Sequence, residues 1–142
     1  MTRSSACATA YGPAADGDNV AGRRILVVDD NVDAADAVAV LLEIEGHEVR
    51  TAYSGTAALA EARAWAPDAM VLDIGLPDMD GYELARKVKA LGMTPPPLLI
   101  ALSGYGLAGD ARRAREAGFS HRLLKPVEPS SLFALFRMGA TT

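Results

Sequence analysis

Five polar side chains stand directly after short apolar runs of the sequence, at four places in the chain. Three are acidic, one carries a hydroxyl and one an amine: Asp29, Asp30, Asp73, Ser103 and Lys125. Three carboxylates held close together repel one another, so a cation or bound protons must offset the cost. Polar residues also gather at strand ends simply because those ends are solvated. Five of them together, three of them acidic, indicate a functional site.

The types of these side chains suit phosphoryl chemistry. Mg²⁺ takes oxygen ligands, accepts one or two carboxylates together with waters, and commonly bridges to a phosphoryl group. The Lys125 amine is a compact positive charge that could hold a phosphoryl oxygen, and the Ser103 hydroxyl could donate a hydrogen bond to the same group. A carboxylate can itself be the nucleophile and become an acyl phosphate. The sequence therefore predicts a Mg²⁺-dependent phosphoryl site.

Strand-like and helix-like patterns alternate from Arg23 onward. Five segments are predicted to be strands: Ile25–Val28, Glu48–Ala52, Ala69–Leu72, Leu98–Leu102 and Phe119–Leu124. A helical pattern follows each strand. Five strand–helix pairs predict an α/β fold, a flavodoxin-like, doubly wound parallel sheet with helices on both faces. Ligands of such sheets bind beyond the carboxyl ends of the strands, where strand order reverses. With the usual order 2-1-3-4-5, Asp73 is central and is the predicted nucleophile.

Two local expectations concern the first helix and the residues after it. The helix has apolar residues at one-face spacing, at Ala34, Ala37, Val38, Leu41 and Leu42. Gly46 is placed to end it. His47 follows that glycine and is expected to be a solvated loop residue.

Composition limits the classes of protein that the chain can represent. Its 142 residues are enough for one domain. The net charge of −4 makes binding to nucleic acid improbable. No apolar run approaches the ~20 residues that span a bilayer, and the single cysteine, Cys7, cannot close an intramolecular disulfide. We therefore expect a cytoplasmic protein with no membrane association. Residues 1–22 have the composition of a flexible tail and precede a domain spanning 23–142.

Four motifs identify a resemblance to a known family. They are Val27–Asn31 (VVDDN), Leu72–Gly81 (LDIGLPDMDG), Ala101–Gly104 (ALSG) and Leu124–Pro126 (LKP). In this order they resemble the receiver domain of bacterial two-component response regulators. The resemblance covers roughly residues 23–138, and the combination of motifs is highly specific.

The resemblance implies a role for each site residue. Asp73 would accept a phosphoryl group from the phosphohistidine of a sensor histidine kinase or a histidine phosphotransfer protein. Ser103 and Lys125 would contact that group, and the Lys125–Pro126 peptide bond would be cis. Asp73 would also belong to the Mg²⁺ site, whose implied ligands are Asp29, Asp30, Asp73 and the backbone carbonyl of Gly75.

One position departs from the family pattern. Members often carry an aromatic residue three positions before the lysine, and its ring turns inward upon phosphorylation. Here Arg122 occupies that position, which puts an aromatic switch in doubt, and receivers of hybrid kinases often have a basic residue there. The expected switch region comprises Gly104, Tyr105, Gly106 and Arg122. Tyr105 lies where the family tunes hydrolysis of the acyl phosphate, although it is equally well read as an ordinary loop residue.

Several alternatives remain beside a phosphorylation-operated, single-domain response regulator that turns over no separate substrate. The chain could also be a receiver excised from a hybrid histidine kinase or phosphorelay. Too few residues follow Met138 for an output module, so signalling through the surface of the domain is expected. An aspartate-nucleophile phosphatase is remote, because such enzymes need a second acid where Gly75 stands. The pattern G-x-G-x-x-G over Gly104–Gly109 could mark a dinucleotide site, but it lies in the fourth strand–helix turn instead of the first.

Overall fold

A computed structural model describes residues 23–104 and 111–139. Five parallel strands form one sheet in the order β2-β1-β3-β4-β5. The strands are β1 Arg24–Val28, β2 Glu48–Ala52, β3 Ala69–Asp73, β4 Leu98–Ser103 and β5 His121–Leu124. The predicted fold class and strand order are confirmed. Strand order reverses between β1 and β3, so the carboxyl ends of these two strands border the crevice where such folds bind ligands.

Five helices connect or follow the strands. They are α1 Val32–Ile44, α2 Gly55–Trp65, α3 Gly81–Ala90, α4 Ala111–Ala117 and α5 Pro129–Gly139. Side-chain caps begin the first three: Asn31 accepts from the Ala34 amide, Ser54 from Ala57 and Asp80 from Glu83, at 2.8–3.1 Å. Such caps satisfy amides that the first turn leaves unpaired. These caps therefore fix the starts of three helices near the edge of the sheet that carries the predicted site.

The sheet is covered on both faces, and each face has its own core. Met70 and Leu72 of β3 belong to one cluster with Leu26 and Val28. Ala69 and Val71, which alternate with them, belong to the other cluster. All five residues of β3 are buried. A strand buried on both faces is apolar throughout, and this rule makes the acidic Asp73 at its end conspicuous.

Two glycines end helices with the same backbone arrangement. Gly46 and Gly118 have φ values of +98° and +112°. The residue after each donates its amide to a carbonyl five residues earlier: His47 to Leu42, and Phe119 to Ala114, at 3.2 and 3.0 Å. This Schellman arrangement satisfies the last helical carbonyls and turns the following side chain toward the helix.

This helix ending explains two differences from the sequence-based expectations. The fifth strand begins at His121 and not at Phe119, because the Phe119 amide is used by the end of α4 and its ring is buried in the core. His47 is not solvated: only 4% of it is exposed. Its ring lies 5.4 Å from that of Phe136 in α5.

The apolar surface of α1 is wider than its predicted face. The core buries Ala35, Val38, Ala39 and Leu42. The remaining predicted positions line a groove of about 510 Å³ between α1 and the segment after β5, formed in part by Ala34, Ala37, Leu41, Pro126 and Val127. One end of the groove is polar, since Asp29 and Lys125 also line it.

The predicted tail at residues 1–22 lies outside the described residues, as do Tyr105 and Gly106 of the predicted switch region.

Candidate functional site

The ends of four adjacent strands bring the site side chains together. Asp73 and Ser103 are the last residues of β3 and β4. Asp29 directly follows β1, and its amide donates to the Ala52 carbonyl at 3.1 Å. Lys125 directly follows β5, and its amide donates to the Ser103 carbonyl at 2.9 Å. These hydrogen bonds prolong the pairing between strands by one residue, so the backbone around the site is fixed by the sheet.

The three aspartates form one acidic group. Their nearest carboxylate oxygens all lie within 4.8 Å of one another. Asp29 and Asp73 are buried, whereas Asp30 is exposed. Two backbone amides orient the buried pair, since Asn31 donates to Asp29 Oδ1 and Gly75 to Asp73 Oδ1, at 3.0 and 3.1 Å.

Lys125 supplies the positive charge of the site. Its Nζ lies 3.0 Å from Asp29 Oδ2 and 3.2 Å from Asp73 Oδ2, so a single ammonium bridges both buried carboxylates. Burial by itself would lower the pKa of Lys125. The hydrogen bond and charge of Asp29, together with those of Asp73, outweigh that effect and raise the pKa above its ordinary value. Lys125 is therefore held as a cation.

The environment of Asp73, in contrast to that of Lys125, favours the neutral form of the side chain. Burial raises the pKa of Asp73 above its ordinary value, and the nearby charge of Asp29 adds to the rise. The hydrogen bond from the Gly75 amide and the charge of Lys125 oppose the rise without cancelling it. Added positive charge at this place would favour the ionised form of the carboxylate, which is the form able to act as a nucleophile.

The Ser103 hydroxyl is buried beside this charged group without a partner. The residue is 2% exposed, and its Oγ has no hydrogen-bond partner among the described residues. A buried hydroxyl without a partner costs free energy. The position of Ser103 at the end of β4 makes it available to a ligand that enters beside Asp73.

The donor set fits a magnesium ion. Three carboxylates offer only oxygen, which is the ligand that Mg²⁺ prefers. One lysine balances only one of their three negative charges, so the described residues around the site leave an excess of negative charge that a divalent cation would neutralise. The acidic group is therefore compatible with Mg²⁺.

The remaining predicted positions fall in different places. Gly104 follows Ser103 and is half-buried, and a Cβ built there would meet no atom of the described residues within 4 Å. Arg122 lies in β5, paired with Ala101 of β4, and is also half-buried. The Lys125–Pro126 peptide bond is cis.

Asp78 lies within the second motif, but its sequence position predicts no role for it. Its carboxylate accepts hydrogen bonds from the first residues of α2. The sequence Leu-Pro-Asp does not by itself predict this contact, because the hydrogen-bond donors lie more than twenty residues away in the chain.

Residues 25–137 match the response regulator receiver domain family. The chain belongs to this family. The resemblance inferred from the four motifs is thereby confirmed.

Two curated relatives and one solved structure show how the chain compares with family members. An uncharacterised 14.6 kDa protein of Leptolyngbya boryana is 40% identical over 113 residues, which are 78% of this chain and 85% of that protein. The response regulator PleD of Caulobacter vibrioides is 40% identical over 117 residues, which are 80% of this chain but only 25% of PleD. A CheY-like receiver domain protein from Methanospirillum hungatei has a TM-score of 0.77 at 31% identity, covering 85% of this chain and 95% of its own.

Receiver domains are signalling switches of two-component systems, and this receiver carries an acidic group that is compatible with Mg²⁺ binding. No helix among the described residues is long and apolar enough to cross a membrane.

Proposed function

We propose that this receiver is a phosphorylation-operated switch in which Asp73 is the phosphoacceptor. The observation that carries the proposal is the placement of the Asp73 carboxylate, buried at the switch point of the sheet with the Lys125 ammonium 3.2 Å away. The donor is the phosphohistidine of a sensor histidine kinase or of a histidine phosphotransfer protein. The phosphorylated surface then differs from the unphosphorylated one and is read by a downstream partner.

The proposed transfer is a displacement at phosphorus. A carboxylate oxygen of Asp73 forms the new P–O bond while the P–N bond of the phosphohistidine breaks. The electron pair of that bond leaves with the imidazole, which takes up a proton on the donor protein. The Lys125 ammonium leaves the Asp73 carboxylate and pairs with the phosphoryl oxygens. The Ser103 hydroxyl donates a hydrogen bond to the same oxygens. Both groups thus stabilise charge that develops during the transfer.

Mg²⁺ would be held by Asp29, Asp30, Asp73 and the backbone carbonyl of Gly75. When bound, it supplies Lewis-acid stabilisation of the phosphoryl oxygens. The Asn31 and Gly75 amides keep the two buried carboxylates oriented.

The groove beside α1 supports a protein as the donor. Its apolar wall, with Ala34, Ala37 and Leu41, runs up to Asp29 and Lys125 at the polar end. An apolar side chain on a helix of the phosphohistidine protein would fill the groove while the imidazole reaches Asp73. Such a contact would strengthen the binding of a protein donor relative to a small phosphoryl donor such as acetyl phosphate.

The size of one relative supports a single-domain regulator. The chain covers 85% of the 14.6 kDa protein of Leptolyngbya boryana, so a relative of about one receiver domain exists as a separate protein. Coverage of only 25% of PleD supports the second possibility, a receiver that works inside a larger protein, as in a hybrid kinase. An immunoblot of source cells with an antibody to this domain distinguishes the two by the mass of the band.

Intact-mass spectrometry tests the phosphoacceptor. Incubation with Mg²⁺ and acetyl phosphate should add one phosphoryl group to the wild type and none to Asp73→Asn. Asp33→Asn, an exposed aspartate in the first turn of α1, is the matched control and should be phosphorylated normally. Equal uptake by Asp73→Asn and the wild type would show that Asp73 is not the acceptor.

A further inference from the structure

The loop from Ile74 to Asp80 connects the phosphoacceptor strand to α3. Its two ends are tied together, since the Gly81 amide donates to the Ile74 carbonyl at 2.8 Å. A Cβ at Gly81 would lie 2.7 Å from Ile74 Cα and 2.8 Å from the Asp73 carbonyl oxygen. The backbone of α3 therefore packs directly against the end of β3. The loop is closed at its base and the buried side chains of Ile74 and Leu76 anchor its first half, so the second half, residues 77–80, is left to be positioned.

The second half of the loop is attached to a different helix. Asp78 Oδ1 accepts from the Gly55 amide at 2.9 Å, and Oδ2 accepts from the amide and the hydroxyl of Thr56, both at 3.0 Å. One carboxylate thus satisfies two of the amides that the first turn of α2 leaves unpaired. The positive end of the helix dipole favours the same charge. These bonds, led by the one from Gly55, lower the pKa of Asp78.

The neighbouring residue makes a second attachment at the same place. A Cβ at Gly55 would lie 2.5 Å from Met79 Cγ, so the Met79 side chain occupies the space that any other residue would need. Two consecutive loop residues, one by hydrogen bonds and one by packing, therefore hold the loop to the first residue of α2.

The attached loop contains Gly75, whose backbone contributes two groups to the site. Its amide orients Asp73 Oδ1 at 3.1 Å, and its carbonyl is the Mg²⁺ ligand of the proposed function. Gly75 itself is exposed, between the buried Ile74 and Leu76, and a glycine backbone has a wider range of allowed conformations than other residues. The orientation of its peptide groups therefore depends also on what holds residues 77–80.

We propose that Asp78 is a positioning residue: by binding the N-terminus of α2, it holds the 74–80 loop so that Gly75 is set against Asp73 and the metal site. The role of the Gly75 carbonyl in this inference rests on the proposed function. Asp78 acts through Gly75 and does not itself touch a reacting atom. Outer partners of a metal site commonly change metal affinity by about 10- to 100-fold. Because Asp78 is solvent-exposed, we expect an effect at the lower end of this range.

Three variants of the full chain separate positioning from stability and from charge. Asp78→Ala removes the attachment. Thr56→Val removes one of its three hydrogen bonds without changing any charge. Ser54→Ala is the matched control, because it removes a cap from the same helix, through the Ala57 amide, without touching the loop.

The measurements are the Mg²⁺ dissociation constant, from an NMR titration with MgCl₂ that follows the Gly75 amide, and the phosphorylation rate with acetyl phosphate. Asp78→Ala should bind Mg²⁺ about tenfold more weakly, and saturating Mg²⁺ should restore most of its phosphorylation rate. Thr56→Val should also bind more weakly, by less than the roughly tenfold loss expected in Asp78→Ala. Ser54→Ala should match the wild type in both measurements.

Two results would overturn the inference. One is the same Mg²⁺ affinity in Asp78→Ala and Ser54→Ala. The other is a loss in Asp78→Ala that vanishes in 0.5 M KCl while Thr56→Val is unaffected, which would identify a screened charge effect. Failure of the proposed function is distinguishable, because wild-type protein would then bind Mg²⁺ without gaining a phosphoryl group on Asp73.

Discussion

Ser103 and His47 are both buried, and each has a polar side-chain atom without a hydrogen-bond partner among the described residues. Their surroundings differ. Ser103 ends β4 in the group that contains Asp73 and Lys125, whereas His47 lies just before β2, against the ring of Phe136. An unpartnered hydroxyl beside charged groups is ready to bind a ligand. An unpartnered imidazole in an apolar core has only a cost in stability.

The pKa of His47 shows that cost. Burial lowers it from 6.5 to about 4, and the nearby positive charge of Arg23 contributes to the shift. The folded protein thus holds His47 neutral in a pH range where the unfolded chain would protonate it. The comparison shows that one missing hydrogen bond points to ligand binding at the carboxyl ends of the strands, whereas in the core it is only a cost in stability.

The largest expected difference between the two residues is in the response to phosphorylation. Beryllofluoride, a phosphoryl mimic, should change hydrogen exchange in α4 of the wild type more than in β5. Ser103→Ala should lose most of this change, because no hydroxyl remains to bind the mimic, whereas His47→Leu should keep it. Exchange measured by mass spectrometry decides this. An undiminished response in Ser103→Ala would remove the functional half of the comparison.

Arg122 tests the route of the same response. Arg122 is half-buried at the edge strand β5, and moving its charged guanidinium deeper into the core is costly, so we expect Arg122 to stay near the surface in both states and Arg122→Ala to keep the α4 response. A larger change in β5 than in α4, or a response abolished in Arg122→Ala, would make Arg122 part of the switch.

Acid stability should show the next largest effect. Above pH 6.5, His47 is neutral in both folded and unfolded chains, and the stability is complete. As the pH falls toward 4, the unfolded chain takes up the proton first, so the folded state loses at most about 3 kcal/mol. His47→Leu should lack this loss. Urea unfolding of both proteins between pH 7 and pH 4 measures the difference, and parallel pH profiles would contradict the assignment.

Stability at neutral pH should change much less in Ser103→Ala. Removing a buried hydroxyl that has no partner takes away a desolvation cost of about 1 kcal/mol, although it leaves a small space. We expect a free energy of unfolding equal to that of the wild type or higher by up to about 1 kcal/mol. A clear loss would mean that the hydroxyl has a partner in solution.

The smallest effect concerns Asp30 in the absence of metal. Asp30→Ala removes one of three crowded carboxylates and relieves their repulsion, so its melting temperature should equal or slightly exceed that of the wild type. With Mg²⁺ present, the variant should bind the ion more weakly and resist phosphorylation. A melting temperature several degrees lower without metal would show that Asp30 is structural.

The site could be predicted because it depends on topology more than on detail. Each polar residue follows an apolar run, and parallel strands bring the ends of such runs to one edge of the sheet. Strand order then places Asp73 between Asp29 and Ser103 without any knowledge of packing. The structure places all five side chains at adjacent strand ends, whereas their roles in phosphoryl transfer stay predictions.

Two expectations that the structure contradicts have a common physical cause. The solvated position expected for His47 and the strand start expected at Phe119 each lie directly after a glycine that ends a helix. At that position the amide donates to a carbonyl at the end of the helix, and the side chain packs into the core. The sequence pattern on either side therefore does not predict the position of this residue. Asp78 was missed for another reason, since its partners at Gly55 and Thr56 are distant in the chain and its contact involves no periodic pattern.

Trp65 has a consequence for how this protein can be observed. It is the only tryptophan in the sequence and lies at the end of α2, buried, with the guanidinium groups of Arg24 and Arg50 at 5.6 and 4.7 Å from its ring. Arg24 begins β1, so this ring is at the opposite end of the sheet from Asp73. Its fluorescence should therefore report unfolding of the core faithfully and remain nearly silent when Mg²⁺ or a phosphoryl group binds.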